Sequence, residues 1–148
     1  MGYDELIAQL RARYPGGRPV PLDEFTAVER LLGIVLPELL RRVYTEVADG
    51  GFYSREGELF NIMPDEGSDP IPPTWYRETL THAPELARLG WPLYDHGCAI
   101  WSYVSLTEDG HPVRVWDPVE GTVEEGLAVL RTQRGIPLDD WFRSRFDR

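Results

Sequence analysis

An acid, an imidazole and a thiol fall within four positions of this chain, at Asp95, His96 and Cys98. Side chains of these types could start a metal site or form a nucleophilic Cys–His pair. A metal site needs further ligands, but His82 and His111 are the only other histidines, and no H-x-x-x-H or C-x-x-C spacing exists. We therefore predict that no metal is bound here.

The Cys–His pair is disfavoured for a different reason. Neighbouring residues on a strand point to opposite faces, and no helix start or arginine lies close to Cys98 in sequence to favour its thiolate. We predict a tight turn at Gly97, followed by a small buried thiol, Cys98, at the head of a core strand. An enzyme centred on Asp95, His96 and Cys98 is the least favoured of three functional hypotheses.

Other catalytic motifs are missing from the sequence. It has neither a G-x-S-x-G nucleophile elbow nor a Gly-rich phosphate loop. Paired acids are common, but they fall in turns or at a helix start, where solvated carboxylates are the rule. These pairs are Asp65-Glu66, Glu108-Asp109, Glu124-Glu125 and Asp139-Asp140. We predict no enzymatic activity, no catalytic residues and no cofactor.

The charge of the chain is its most informative global property. Its 148 residues carry a formal net charge of -10, with 25 acidic side chains against 15 basic ones, and every basic residue is arginine. Such a field repels nucleic acid and anionic membranes and favours a basic protein partner. The alternative is that the acidic surface only confers solubility.

The segment Met1–Leu10 does not have the pattern of a secretory signal. Asp4 and Glu5 occupy positions where a secretory signal would carry positive charge. Cys98 is the only cysteine, which excludes an internal disulfide. We expect a cytoplasmic protein.

Helical periodicity dominates the first third of the chain. The spacing predicts one helix over Tyr3–Tyr14 and a second that starts near Asp23 and ends at Gly33. The apolar stripe of the second helix comprises Phe25, Val28, Leu31 and Leu32. Leu36-Pro37 opens a third helix, with the proline in its first turn. The third helix ends at Gly50-Gly51, where we predict at least one glycine at positive φ.

The rest of the chain changes from loop to helix to sheet. Pro64–Pro73 is a proline-rich acidic loop, and Thr74–Leu89 is predicted as a helix with an interruption at Pro84. Predicted strands cover Trp91–Tyr94, Ala99–Leu106 and Val113–Trp116, and a turn at Glu108-Asp109-Gly110 makes the last two a hairpin.

The C-terminal part contains one ambiguous segment, Thr122–Gln133, in which Glu125-Gly126 could join two short strands. A closing helix over Leu138–Phe146 follows, with Leu138, Trp141, Phe142 and Phe146 directed inward. The whole chain, 1–148, is predicted as one α+β domain. N-terminal helices pack with a mostly antiparallel twisted sheet, and a short helix ends the chain.

Two surfaces are candidates for binding a partner. The first joins the acids of the loop to the two aromatic residues after it, because hot spots commonly combine aromatic anchors with a polar rim: Asp65, Glu66, Asp69, Trp75 and Tyr76. The second surrounds the turn into the long strand: Tyr94, Asp95 and Trp101. Trp91, Trp101, Trp116 and Trp141 are otherwise expected in the core.

Three short patterns in order resemble the SMI1/KNR4 family of the SUKH superfamily. The first is Val28–Gly33 (VERLLG), then Leu36-Pro37-Glu38, then a helix closing on Ala48–Phe52 (ADGGF). The second is Trp91-Pro92 leading into Asp95–Trp101, and the third is the closing segment Leu138–Phe146. The similarity covers about residue 22 to the end. The chain departs from the family pattern at Asp49, where asparagine is commoner, and at Pro137, where serine is usual.

The resemblance implies an α+β fold and function by binding. Bacterial members of the family are regarded as immunity proteins that neutralise polymorphic toxins, many of them nucleases, and fungal relatives are regulatory interaction proteins. The family supplies no catalytic residues to carry over. The leading hypothesis is therefore a cytoplasmic immunity protein, a monomer or weak homodimer, that binds a basic nuclease toxin. The alternative is a regulatory module that binds another protein or peptide.

Overall fold

The computed structural model describes residues 2–54, 57–64, 69–82, 84, 87, 90–117 and 123–146. Its elements confirm the predicted α+β class, with N-terminal helices, an antiparallel sheet and a short C-terminal helix. In chain order they are α1 (Asp4–Arg13), α2 (Leu22–Leu32), α3 (Glu38–Glu46), β1 (Gly51–Ser54), β2 (Gly57–Leu59), α4 (Ile71–His82), β3 (Trp91–Asp95), β4 (Trp101–Val104), β5 (Val113–Trp116), α5 (Val123–Thr132) and α6 (Leu138–Phe146). Among the described residues, no helix combines the length and apolar character that crossing a bilayer requires.

The N-terminal helices form close to where the sequence places them. Gly33 ends α2 in the left-handed conformation, at φ 66°, as predicted. Pro37 lies just before the first residue of α3 rather than inside its first turn. Leu39, Leu40, Val43 and Tyr44 of α3 are buried and fill the space between the helices and the sheet.

The two glycines after α3 confirm the predicted positive φ, but the helix itself ends at Glu46, four residues earlier than predicted. Gly50 and Gly51 have φ angles of 72° and 91°. A Cβ atom on Gly50 would lie 2.6 Å from the backbone nitrogen of Asn61, so the chain passes too close there for any side chain. Residues 47–50 connect α3 to β1, which starts at Gly51.

The five strands form one antiparallel sheet in sequence order, β1-β2-β3-β4-β5. One face contributes Leu59, Tyr94 and Val104 to the main core with the N-terminal helices and α6. On the other face, Tyr103 and Leu130 centre a smaller cluster under α4 and α5. The sheet therefore separates two apolar clusters of different size.

The structure refines the predictions for the segments around α4 and α5. The predicted loop Pro64–Pro73 ends early, because α4 already begins at Ile71 with two prolines in its first turn, where their missing N–H groups cost nothing. The same helix ends at His82, two residues before the predicted interruption at Pro84. Pro84 and Ala87 are 3₁₀-helical, and the other residues of the predicted span between 83 and 89 lie outside the described ones. The ambiguous segment Thr122–Gln133 is no strand pair but contains the helix α5. Leu127 and Leu130, three residues apart, share the face of α5 that packs on the sheet.

The hairpin of β4 and β5 is confirmed. The free edge of its outer strand, β5, is hydrogen-bonded by the Gln133 side chain and by the backbone of Ile136. The amide of Gln133 accepts a hydrogen bond from the Val115 N–H (3.2 Å) and donates one to the Val115 carbonyl (2.9 Å). A single bridge to Ile136 extends the pairing at Val113. The segment after α5 thus occupies the hydrogen-bonding edge of β5.

Candidate functional site

The turn between β3 and β4 is longer than the sequence predicts. Gly97, Cys98 and Ala99 all have positive φ, at 87°, 53° and 64°. The His96 N–H donates to the Ile100 carbonyl (2.9 Å), which closes the turn around these three residues. Strand β4 therefore begins after Ile100, two residues later than predicted.

This longer turn overturns the prediction for Cys98. The residue is exposed rather than buried, because it lies at the tip of the turn and not at the head of a strand. The argument from strand alternation against a Cys–His pair consequently does not apply to these residues.

The His96 side chain is held by strand β4 and by the core. Its Nε2 lies 2.6 Å from the Ser102 hydroxyl, and its ring packs edge-on against Tyr94 at 5.0 Å between centroids. Ser102 is fully buried, so this contact anchors the turn to the sheet. Among the described residues, no group of three or more His, Cys, Asp or Glu side chains could hold a metal ion.

The strand register brings two acids and two indoles into one row across the sheet. Glu58 pairs with Asp95, Asp95 pairs with Trp101, and Trp101 pairs with Trp116. Directly paired residues of antiparallel strands project from the same face, about 5 Å apart. All four side chains are half-buried. We call this set the aromatic–acid row.

Packing explains why the row stays partly open. Farther along the same face, Tyr103 is buried between Trp75 of α4 and Trp116, at 5.4 and 6.1 Å between ring centroids. Phe60 meets Trp101 edge-on at 5.2 Å. The two indoles of the row are therefore fixed in place by the cluster beneath α4 and α5 and still reach the surface.

The two acids of the row have no ion-pair partner among the described residues, unlike Glu108 in the β4–β5 hairpin. Glu108 forms two hydrogen bonds with Arg114, at 2.6 and 2.9 Å, and these bonds hold the pKa of the Glu108 carboxyl below its usual value. Within the described ranges, Glu58 and Asp95 form no ion pair. Asp95 accepts one local hydrogen bond, from the Gly97 N–H at 2.8 Å.

Two of the predicted partner-binding residues lie in the core, which corrects their assignment to a surface. Tyr94 is fully buried, and its ring packs against Trp141. Tyr76 is 8% exposed, and burial raises the pKa of its phenol. Neither ring is available as a surface anchor, since both lie on the inward-facing side of their element.

The remaining predicted residues divide between two places. Asp95 and Trp101 belong to the aromatic–acid row. Asp69 is exposed just before α4, and Trp75 is a half-buried residue of that helix. Asp65 and Glu66 lie outside the described residues. The residues of the two predicted surfaces therefore do not form one site. The structure adds Glu58 and Trp116, which the sequence did not indicate, to Asp95 and Trp101 of the second surface.

Asp69 lies on the rim of an apolar groove between α2 and α4. The side chains lining this groove are mostly aliphatic and come from both helices and the segment after β2: Val28, Leu31, Leu32, Ile62, Met63, Pro70, Pro73 and Arg77. Leu31, predicted to face the core with the rest of its stripe, is 71% exposed. The apolar stripe of α2 is wider than the surface that the core covers, so its outer part, with Leu31, is left to line the groove.

The row contains two residues that sequence reasoning did not place at a binding surface. Trp116 was predicted in the core and is half-buried, and Glu58 was not singled out. Nothing local in the sequence marks their adjacency, because it depends on the pairing of strands distant in the chain. Trp91 and Trp141 are buried as predicted.

Comparison with protein-family models, with curated proteins and with solved structures finds no match in any of the three. The resemblance to the SMI1/KNR4 family therefore stays a prediction.

Proposed function

We propose that this chain is a non-enzymatic protein-binding domain of the SMI1/KNR4 type that binds and neutralises a basic toxin. The toxin class that we favour is a nuclease. The chain would act in the cytoplasm, as a monomer or weak homodimer, without cofactor, nucleic acid or membrane. The observation that carries the proposal is the aromatic–acid row, where two rigid indoles lie beside two carboxylates that no described arginine neutralises.

The distribution of charge supports the proposal. Several arginines are held by the chain itself: Arg42 bonds to Asp4 and Glu46, and Arg114 bonds to Glu108. Each internal pair neutralises an acid together with its arginine, so the net charge of -10 comes from the acids that exceed the arginines in number. The excess negative charge is left for solvent or a partner.

A basic nuclease fits such a surface for a physical reason. A protein that binds phosphates presents clustered cations, and complementary potentials increase the rate of encounter by about 10-fold or more over a neutral pair. Half-buried tryptophans supply the apolar contact that holds the complex after encounter, since hot spots are enriched in Trp. Charge would set the association rate, and the indoles would slow dissociation.

The test begins with the reading frames that flank this gene. Each is expressed in a bacterial host with and without this chain, and survival is measured. We expect one frame to kill the host and this chain to restore growth. As a matched control, the chain carrying Trp101→Ala should protect less than the chain carrying Leu80→Ala, a 42% exposed apolar residue of α4. A toxic neighbour that kills equally with and without this chain would refute the proposal.

One observation favours the alternative of a regulatory interaction module. The groove between α2 and α4 is apolar, and it is suited to an apolar segment of any protein or peptide rather than to a basic toxin. The two functions differ in salt dependence. Association through the row should weaken steeply as salt rises, whereas association through the groove should stay the same.

A further inference from the structure

We infer that the aromatic–acid row is a binding site for an arginine side chain of the partner, with the guanidinium stacked on Trp101 and hydrogen-bonded to Asp95, the acid paired with it, while Glu58 and Trp116 flank the site on the two outer strands. The inference rests on the proposed function and names the group on the partner that this surface recognises.

The geometry of the row matches the shape of a guanidinium. The four residues follow one another on neighbouring strands, so the Cβ atoms of successive members lie about 5 Å apart. A guanidinium is planar, stacks on aromatic faces and directs several N–H groups sideways in its own plane. A guanidinium stacked on Trp101 therefore keeps N–H groups free to reach the Asp95 carboxylate beside it.

The charge of the row matches as well. Both carboxylates lack an ion-pair partner among the residues that the structure describes. Asp95 is oriented by its bond from the Gly97 N–H, which uses Oδ1. Half-burial beside two indoles lowers the local dielectric, so a cation gains more here than over fully solvated acids.

The chain already makes this kind of contact elsewhere. The Arg145 guanidinium carbon lies 4.7 Å from the ring centre of Tyr94 and 5.2 Å from that of Trp141. This contact involves the opposite face of the sheet, since Tyr94 pairs with Ser102 and Asp95 with Trp101. It shows the same pairing of arginine with aromatic rings within one chain.

Arginine is favoured over lysine by the same chemistry. A lysine ammonium is compact and strongly hydrated, and it cannot stack flat on an indole while directing N–H groups sideways to a carboxylate. A lysine peptide should therefore bind this row more weakly than an arginine peptide of equal charge.

The experiment titrates the ¹⁵N-labelled chain with acetyl-Gly-Arg-Gly-amide and follows the indole N–H signals. The chain has five tryptophans, and the variants Trp101→Phe and Trp116→Phe identify the two signals of the row. The control peptide carries citrulline, which has nearly the shape of arginine without its charge. We expect the Trp101 and Trp116 signals to move and saturate with arginine and to change little with citrulline.

Matched variants test the acids without disturbing the fold. Glu58→Gln with Asp95→Asn removes two charges, and the asparagine oxygen can still accept from the Gly97 N–H. Glu5→Gln with Asp109→Asn removes the same charge in α1 and at the far end of the hairpin. We expect the first pair to raise the dissociation constant of the arginine peptide about fivefold and the second to change it by less than about twofold.

Three results would overturn the inference: equal shifts with citrulline, equal weakening by both variant pairs, or shifts that spare Trp101 and Trp116. These results are separable from failure of the proposed function. A chain that protects against its toxin but does not bind the arginine peptide refutes this site alone. A chain that binds the peptide but does not protect refutes the toxin-neutralising function alone.

Discussion

Asp49 and Asp95 lie one and two residues before glycines at positive φ, and their carboxylates have different roles. Asp49 accepts hydrogen bonds from the backbone N–H groups of Ile62 (2.7 Å) and Met63 (3.2 Å), 13 and 14 residues away. Asp95 accepts from the N–H of Gly97, two residues away. The first carboxylate ties the end of α3 to the segment after β2, and the second shapes only its own turn.

The role of each carboxylate depends on whether the backbone N–H groups that it accepts from are distant or local in the chain. A carboxylate that satisfies distant backbone donors supports the fold, because its removal leaves partly buried N–H groups unpaired. A carboxylate that makes one local bond keeps its charge at the surface, where a partner can use it. Stability should therefore depend on the first region and recognition on the second.

The largest expected effect separates Gly50 from Gly97. A Cβ on Gly50 would lie 2.6 Å from the Asn61 nitrogen and 2.7 Å from the Phe60 carbonyl carbon, whereas a Cβ on Gly97 meets nothing within 4 Å. Gly50→Ala should lower the free energy of unfolding by about 3 kcal/mol or more, through backbone displacement as well as positive φ. Gly97→Ala should lower it by about 1 kcal/mol, through φ alone.

Urea unfolding of both variants measures this difference. Gly51→Ala is the internal control, because Gly51 adjoins Gly50, has φ 91° and has open space at its Cβ position. It should behave like Gly97→Ala. Equal losses at Gly50 and Gly51 would show that the close approach at Asn61 does not matter.

The second effect separates the two aspartates. Asp49→Ala leaves the N–H groups of Ile62 and Met63 without their acceptor and should cost about 2–3 kcal/mol of unfolding free energy. Asp95→Ala removes one local bond and should cost less than about 1 kcal/mol. Thermal unfolding gives both values, and a larger loss at Asp95 would reverse the comparison.

The third effect concerns Glu108, whose carboxylate is neither buried nor free. Its hydrogen bonds with Arg114 lower the pKa of the Glu108 carboxyl in the folded chain, so folding favours the ionised form. The stabilisation is present above the ordinary pKa of 4.5 and is lost as the pH falls through the lower folded value. Because the side chain is half exposed, screening keeps the contribution below about 1 kcal/mol.

The measurement compares the unfolding free energy of the unaltered chain and of Glu108→Gln across pH. The difference should be largest near neutral pH and should shrink below about pH 4.5. A difference that grows on acidification would mean that the pair does not favour the ionised carboxylate.

The smallest effect lies in the β3–β4 turn. Ala99 has φ 64°, a conformation that glycine adopts without steric cost. Ala99→Gly should raise the unfolding free energy by about 0.5 kcal/mol, since relief of the strain exceeds the added entropy of the unfolded chain. Ala8→Gly, in the exposed interior of α1, should instead lower it by about 1 kcal/mol. Destabilisation by both changes would show that the turn carries no strain at Ala99.

Where the signals are local, the sequence predicts this fold well. Gly33 marks the end of α2, and Gly50 and Gly51 mark the turn into β1, because left-handed backbone favours glycine. The apolar spacing over Leu138–Phe146 predicts α6 with its observed bounds. The β4–β5 hairpin follows from its turn residues for the same reason.

Features that depend on distant pairing were not predictable. The β3–β4 turn uses left-handed Cys98 and Ala99, which no sequence rule favours there, so the start of β4 was misplaced and Cys98 was wrongly buried. The segment of α5 is apolar at spacings that suit either element, and packing on Tyr103 decides for the helix. The aromatic–acid row requires three strand registers at once, and none of them can be read from one stretch of sequence.

The amide of Gln133 has a consequence for the behaviour of the protein in concentrated solution. An outermost strand with free N–H and C=O groups can add a strand from another molecule and seed edge-to-edge aggregation. Gln133 satisfies both backbone groups of Val115, and Ile136 satisfies those of Val113, so that β5 offers an approaching chain few groups to pair with. The Gln133 side chain thus protects β5, an edge strand rich in aromatic and β-branched residues, from pairing with a strand of another molecule.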